Sequence, residues 1–172
     1  DGSGSVNISD NDSKPLIYIS DAAAVEGGTT EFLISLTEIS DFDVYFDFST
    51  HDGDGVDRAT APGRFSAVGA QPLQISAGDL SLTAGVGTVD DTVYENSERL
   101  TVSLTGLVNA TGGDVTGEGT ITNTDAAPTL AIYDLTILEG DADSVAVSLS
   151  ALSEVDAVFE WQTFVVTADT EV

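Results

Sequence analysis

The feature that most constrains the fold of this sequence is an internal repeat at a spacing of 113 residues, from Ile8 to Ile121. Residues 8–50 align without a gap on residues 121–163. A period of this length is too long for a solenoid and fits the size of one β-sandwich domain, so it predicts tandem domains. The identical pairs include Asp12 and Asp125, Pro15 and Pro128, Ile19 and Ile132, Asp21 and Asp134, Glu26 and Glu139, Gly27 and Gly140, Leu36 and Leu149, Ser40 and Ser153, Asp43 and Asp156, Phe46 and Phe159, and Thr50 and Thr163.

The repeat divides the chain into three parts. We expect residues 1–12 to be the last strand of a preceding repeat, residues 13–125 a complete domain, and residues 126–172 the opening strands of a following, incomplete repeat. Pro15 and Pro128 stand at equivalent junctions, where a fixed φ angle restricts the linker and favours a semi-rigid rod. Because methionine is absent, we also expect the chain to be a segment of a longer polypeptide.

The strand signals are alternating apolar positions rich in β-branched and aromatic residues. Phe32, Ile34 and Leu36 share one face of such a run, and no helical period of 3.6 residues separates the runs. This pattern predicts an all-β, immunoglobulin-like antiparallel β-sandwich of about seven strands, tandemly repeated. The predicted strands of the complete domain are 16–19, 29–37, 42–49, 73–76, 80–89, 99–107 and 118–122.

The charge balance limits the partners of this chain. It carries 30 acidic residues against 4 lysines and arginines, which gives a net charge of -26. Such a charge repels phosphate, so it argues against nucleic acids and anionic membrane surfaces and leaves metal ions and polycations. The longest apolar runs fall far short of the roughly 20 residues of a spanning helix, so no membrane insertion is expected. A bland alternative is that most of the acids keep the protein soluble.

Catalytic residue types are scarce in this sequence. There is no cysteine, which excludes disulfides and zinc-thiolate sites, and His51 is the single histidine. No serine lies in a nucleophile-elbow pattern, so we predict that the protein is not an enzyme. Trp161, the single tryptophan, lies at a strand position of the second repeat, where core packing is its expected role.

The segment 89–98 is the most informative one for function. It reads Val89-Asp90-Asp91-Thr92-Val93-Tyr94-Glu95-Asn96-Ser97-Glu98 and resembles the acidic loop of the Calx-β family. Further matches to that family are Val25-Glu26-Gly27, Thr50-His51-Asp52-Gly53, Ser76-Ala77-Gly78-Asp79 and Thr120-Ile121-Thr122-Asn123-Thr124-Asp125. The resemblance covers residues 16–125 and restarts at Leu130. It implies a seven-stranded sandwich that, in its calcium-binding members, holds Ca²⁺ between loops at one end.

The same resemblance implies a set of calcium ligands. Oxygen ligands suit this hard cation, which takes six to eight of them. Two carboxylates about 5 Å apart repel by about 3 kcal/mol at an effective dielectric constant of 20, a repulsion that bound cations would relieve. The chain departs from the family at Thr92, at Asn123-Thr124-Asp125 and in the segment 55–58. The implied ligands are Glu26, Asp57, Asp90, Asp91, Glu95, Glu98 and Asp125.

The segment 52–57 also invites comparison with a different calcium motif. Its acids at Asp52 and Asp54 resemble the start of an EF-hand loop, but the spacing fails after the second acid. An acidic turn that lends Asp57 to the site above is the better interpretation.

These features favour one function and leave two alternatives open. The leading hypothesis is a calcium-binding structural or adhesive module of a long extracellular surface or matrix protein, with bacterial export favoured by the missing cysteines. Its partners would be neighbouring repeats or copies of itself, and calcium would stiffen the domain and its junction. One alternative is a filament subunit assembled by β-strand complementation between chains. The other is a regulatory, calcium-sensing domain.

Overall fold

The computed structural model describes residues 2–9, 11–138 and 140–164. This part of the chain contains no helix with the length and apolar character needed to span a membrane. Its strands, in chain order, are β1 (Leu16–Ile19), β2 (Ala22–Val25), β3 (Thr29–Leu36), β4 (Val44–Asp52), β5 (Gln71–Ile75), β6 (Ser81–Gly87), β7 (Glu98–Val108), β8 (Thr111–Gly112), β9 (Thr116–Thr122), β10 (Leu130–Ile132) and β11 (Val147–Leu149).

The first nine strands form two facing sheets. One has the order β6-β3-β1-β8 and the other the order β2-β9-β7-β4-β5. Strand β3 alternates exposed and buried residues along its length, which is the pattern of a strand with one face in the core and one in solvent. The predicted β-sandwich is therefore confirmed.

The core lies between the two sheets and is aliphatic and aromatic. Phe32 on β3 faces Phe48 on β4 across the sandwich, with ring centroids 6.1 Å apart. Ile17, Leu100 and Val102 are fully buried around this pair. Because each sheet contributes one apolar face, the loops at both ends of the sandwich stay at the surface, where acidic side chains can gather.

Two strand pairs depart from the predicted antiparallel arrangement. β2 runs parallel to β9, and β8 runs parallel to β1. The chain leaves one sheet at Ile19 and enters the other at Ala22, so β1 and β2 are one extended segment shared between the sheets. The sequence pattern missed β2 because Ala22–Val25 is alanine-rich and has little strand propensity, and it missed β8 because that strand has two residues.

The strands of the second repeat reproduce a pairing of the first. Leu130 pairs with Leu149 and Ile132 with Val147. At a shift of 113 residues, these pairs correspond to Ile17 with Leu36 and Ile19 with Ile34 in the β1–β3 pair. The two copies of the repeat therefore begin with the same strand register.

Residues at both ends of the described chain lie outside the two facing sheets. Residues 2–9 are exposed and form no strand, so their assignment to a preceding repeat stays a prediction. Trp161 is 74% exposed and lies outside any strand, so its expected core position is wrong for this structure. The described residues 151–164 around it form no strand against which an indole ring could pack. Glu139, which corresponds in the second repeat to the implied ligand Glu26, lies outside the described residues.

Candidate metal centre

Strand directions explain why distant acids meet at one end of the sandwich. Glu26 follows β2, and Asp125 follows the parallel neighbour β9, so both lie at the carboxyl ends of adjacent strands. β7 runs antiparallel to β9 and begins at Glu98, opposite Ile121. The start of β7 therefore lies at the same end of the sandwich as Glu26 and Asp125.

The first acidic cluster consists of Glu26, Asp91 and Asp125. One carboxylate oxygen from each lies within 4.8 Å of the others. Glu26 is buried, and its Oε1 accepts hydrogen bonds from the backbone N–H of Thr124 at 2.5 Å and from the Thr124 hydroxyl at 3.1 Å. The Oδ2 atom of Asp125 is buried and has no hydrogen-bond donor. A buried carboxylate oxygen without a donor is costly unless a cation or proton joins it.

The second acidic cluster consists of Glu95, Glu98 and Glu154, again with one oxygen from each within 4.8 Å of the others. A small cleft of about 80 Å³ runs along this cluster, and Asp57 lies on its wall with all three glutamates. Glu154 belongs to the second repeat and reaches the site because Tyr94 forms a parallel bridge with Ser153. The backbone N–H of Tyr94 donates to Leu152, and the N–H of Glu154 donates back to Tyr94.

Arg64 stands among the acids and contacts both clusters. Its backbone is fixed on both sides, since its N–H donates to Thr60 and its carbonyl accepts from Val89. The guanidinium contacts one oxygen of each of four carboxylates. These contacts are Nη1 with Asp91 Oδ2 at 2.6 Å, Nη1 with Glu95 Oε1 at 2.5 Å, Nε with Glu98 Oε2 at 3.1 Å and Nη2 with Glu154 Oε1 at 2.8 Å.

The Arg64 contacts differ in quality. Those to Asp91 and Glu154 are aligned hydrogen bonds. The contact to Glu95 Oε1 is short, but no N–H is directed at that oxygen, which is buried and lacks a hydrogen bond. The Glu95 carboxylate therefore lies close to a positive charge but accepts no hydrogen bond at Oε1, and such a hydrogen bond is what stabilises a buried carboxylate.

Burial and crowding change the acidity of this end of the molecule. Desolvation raises the pKa of Glu95 to about 7, against the opposing attraction of Arg64, and the neighbouring carboxylates add to the rise. Desolvation likewise raises the pKa of Glu98 and of Asp125, the latter also through Glu26 and Asp90. Burial lowers the pKa of Arg64, but the surrounding carboxylates more than offset this and leave it raised. These acids are therefore harder to ionise than exposed carboxylates as long as no further cation joins them.

All seven acids that the sequence implied as ligands lie at this end. Glu26, Asp91 and Asp125 form the first cluster, and Glu95 and Glu98 belong to the second. Asp57 lines the cleft. Asp90 is exposed and lies beside Gly27, where an added Cβ would come within 3.0 Å of the Asp90 Cβ.

Sequence reasoning missed two members of the site, Arg64 and Glu154. Arg64 lies in a loop without a motif, although it is one of just four basic residues in the chain. Glu154 corresponds in the repeat to Asp41, which also carries a carboxylate, but that equivalence did not indicate a contact with the preceding domain.

The segment 52–57 begins at Asp52, the last residue of β4, and continues as a bent loop. Asp52 Oδ1 accepts a hydrogen bond from the N–H of Ala61 at 3.0 Å, and the N–H of Gly53 donates to Ala59. Asp52 is therefore engaged in holding the loop that leads to Arg64. His51 lies on the exposed side of β4, with its Nε2 2.8 Å from the Ser103 hydroxyl.

The donor atoms of the first acidic cluster suit a hard cation. Glu26, Asp91 and Asp125 supply carboxylate oxygens, the ligands preferred by Ca²⁺ and Mg²⁺. The buried and unpartnered Oδ2 of Asp125 adds an oxygen that lacks a protein donor. The residues present therefore fit a calcium ion.

Taken together, fold and site define a two-sheet β-sandwich with its carboxylates gathered at one end. No protein-family model matches this sequence, and no curated protein matches it. Solved structures do match. The chain is similar to the Calx CBD1 domain in its apo form, with a TM-score of 0.57 and 18% identity over 66% of this chain and 100% of that one.

Two further solved structures agree with the first. One is the calcium binding domain CBD12 of CALX1.1, with a TM-score of 0.57 and 18% identity over 69% of this chain and 50% of that one. The other is the Calx CBD2 domain, with a TM-score of 0.53 and 11% identity over 63% of this chain and 86% of that one. The chain therefore has a Calx-β-like fold, as its motifs predicted.

Proposed function

We propose that this protein is a calcium-binding structural module whose first acidic cluster holds the ion. The proposal is carried by the convergence of one carboxylate oxygen each from Glu26, Asp91 and Asp125, together with the buried, unpartnered Oδ2 of Asp125. A bound divalent cation would supply the positive charge that this oxygen lacks. The similarity to solved structures named as calcium-binding domains adds support at the level of the fold.

The second repeat supports a role at a junction. Glu154 contributes a carboxylate to the acidic end of the first domain, and the backbone of residues 152–154 pairs with Tyr94. Because Asp91 belongs to the first cluster and also bonds to Arg64, which bonds to Glu154, a cation at the first cluster would be coupled to the docked segment. Calcium would thereby stiffen both the domain and its junction.

A matching surface exists at the opposite end of the first domain. The Ser153 hydroxyl accepts a hydrogen bond from the N–H of Val155 at 3.0 Å, and the equivalent Ser40 hydroxyl accepts one from the N–H of Phe42, also at 3.0 Å. Asp41, which corresponds to Glu154, is exposed there. A preceding repeat could therefore dock on residues 39–41 as this domain docks on residues 152–154, which favours neighbouring repeats as the partners.

The setting that fits this module is a long extracellular surface or matrix protein with an adhesive role, of bacterial origin. Without cysteine, the chain has no disulfide to stabilise it outside the cell. Extracellular calcium modules typically have a Kd of about 10⁻⁴–10⁻³ M, so millimolar calcium would keep such a site filled.

The test is calcium titration of the full chain by isothermal titration calorimetry. We expect saturable binding that is weakened at least tenfold in Asp91→Asn. The matched control is Asp79→Asn, which removes an exposed acid from the β5–β6 turn at the other end of the sandwich. A Kd near millimolar supports a structural role, whereas a micromolar Kd would favour the calcium sensor. Equal binding by both variants would contradict the assigned site.

One observation favours a second candidate function, β-strand complementation. The hairpin of β10 and β11 leaves Leu130, Ile132, Val147 and Leu149 between 39% and 66% exposed. Apolar strand faces of this kind can accept a strand from another chain. Sedimentation of the full chain at micromolar concentration would show filaments that disappear when residues 1–12 are deleted. A well-folded monomer would contradict this candidate.

A further inference from the structure

The position of Arg64 sets it apart from the other two arginines, Arg58 and Arg99, which are exposed. Its side chain is 16% exposed and lies among four carboxylates, whereas the side chain of Arg99 is 57% exposed and pairs with Glu118 at 3.3 Å. All three guanidinium nitrogens of Arg64 are engaged. A cation bound in this way at one end of a sandwich is built into the site rather than attached to its surface.

We infer that Arg64 is a resident cation that fills the second acidic cluster and restricts calcium to the first. The guanidinium nitrogens lie 2.5–3.1 Å from one oxygen each of Glu95, Glu98 and Glu154, whose carboxylates would otherwise converge on a metal. In the first cluster the guanidinium contacts Asp91, whereas no contact joins it to Glu26 or Asp125. Calcium needs its oxygens at 2.3–2.6 Å, so the ion and the guanidinium compete for the same space. This inference rests on the proposed calcium binding by the first cluster.

Two properties make arginine effective in this position. Its guanidinium stays charged under all physiological conditions, and its fork of five donors can serve several carboxylates at once. The loop that carries Arg64 is fixed in the sandwich by the fully buried Phe65, which bridges to Thr88. The charge is therefore delivered by the folded domain itself and does not depend on the calcium concentration.

Removal of the guanidinium should open a second metal position. In Arg64→Gln, the three glutamates of the second cluster would keep their oxygens within reach of one ion, with Asp57 nearby on the cleft wall. We expect this variant to bind one more calcium ion per chain than the wild type. The matched control is Arg99→Gln, which also removes one arginine charge. Arg99 follows Glu98 in β7, so its side chain lies on the opposite face of the strand and pairs with Glu118.

The experiment counts ions on the full chain by native mass spectrometry and by calorimetric titration with calcium. One additional ion in Arg64→Gln, with wild-type stoichiometry in Arg99→Gln, supports the inference. Arg64→Lys retains a cation and should keep the wild-type number. The double variant Arg64→Gln/Glu95→Gln lacks one carboxylate of the second cluster and should also return to the wild-type number.

The outcomes separate this inference from the proposed function. If the wild type binds calcium and Arg64→Gln binds the same number of ions, the resident cation is refuted and the calcium module stands. Binding by Arg64→Gln alone would support the resident cation and refute the first cluster as the site. If neither binds calcium, both fail. If Arg64→Gln folds only when calcium is added, the extra ion must still be counted in the refolded chain, and its absence overturns the inference.

Discussion

Substitution of Glu95 by glutamine should stabilise the calcium-free protein at alkaline pH. Glu95 is 8% exposed, and its pKa rises from 4.5 to about 7 because burial disfavours the charged form more than Arg64 favours it. Each pH unit of such a rise corresponds to about 1.4 kcal/mol, so ionising Glu95 costs about 3 kcal/mol more in the folded chain than in the unfolded one.

The sign of the pH dependence follows from proton binding. Below about pH 4.5 the carboxyl is protonated in both states and carries no penalty. Between pH 4.5 and 7 the folded chain retains a proton that the unfolded chain has lost, so the free energy of unfolding decreases as the pH rises. Above pH 7 the full penalty is present. Glu95→Gln is neutral throughout and escapes it.

The assay is urea unfolding of the full chain in chelator at pH 4 and pH 8, for the wild type and Glu95→Gln. We expect equal stability at pH 4 and a gain of about 3 kcal/mol for the variant at pH 8, or about 10 °C in Tm. Glu31→Gln, an exposed site on β3, should show no such difference. A variant that is less stable than the wild type at pH 8 would refute the reasoning, because the attraction of Arg64 would then exceed the desolvation of Glu95.

Three further predictions follow from the core, from a close backbone approach and from the first acidic cluster. Phe48→Ala should lower the free energy of unfolding by about 3–5 kcal/mol, measured in urea, because it removes a fully buried aromatic ring from the core. Gly53→Ala should lower the Tm sharply, since its Cβ would lie within van der Waals overlap of the Arg99 carbonyl oxygen, whereas Gly69→Ala meets open space and should be neutral. Calcium affinity should fall as the pH is lowered, and binding should release protons, because the raised pKa of Asp125 makes a proton compete with the ion. Calorimetry in buffers of different ionisation enthalpy measures that release, and an affinity independent of pH would contradict it.

Much of the fold could be predicted because its signals are local or periodic. The alternation in β3 identified a half-buried strand, and the 113-residue repeat anticipated the register that β10 and β11 share with β1 and β3. The acids of the site were implied by the resemblance to the Calx-β family, and the structure explains why they meet, since they follow or precede strands that end at the same side of the sandwich. The missed strand β2 is held by its pairing with β9, a contact between residues nearly 100 positions apart that leaves no local pattern.

The electrostatics of the site could not be predicted in the same way. Arg64 reaches the acids through a loop path anchored by Phe65, and Glu154 reaches them through a pairing between repeats. Both contacts depend on tertiary packing rather than on residue spacing. The sequence therefore indicated which residues carry negative charge at this end, but not that one positive side chain already balances part of it.

The most direct test of the calcium assignment is thermal unfolding of the full chain in 10 mM calcium, in 10 mM magnesium and in chelator. At a Kd of about 10⁻⁴ M, calcium should add about 2.7 kcal/mol to the free energy of unfolding. We predict a rise of several degrees in Tm that is specific to calcium and lost in Asp91→Asn. A rise of equal size in magnesium, or one that persists in Asp91→Asn, would contradict the assignment of the first acidic cluster as a calcium site.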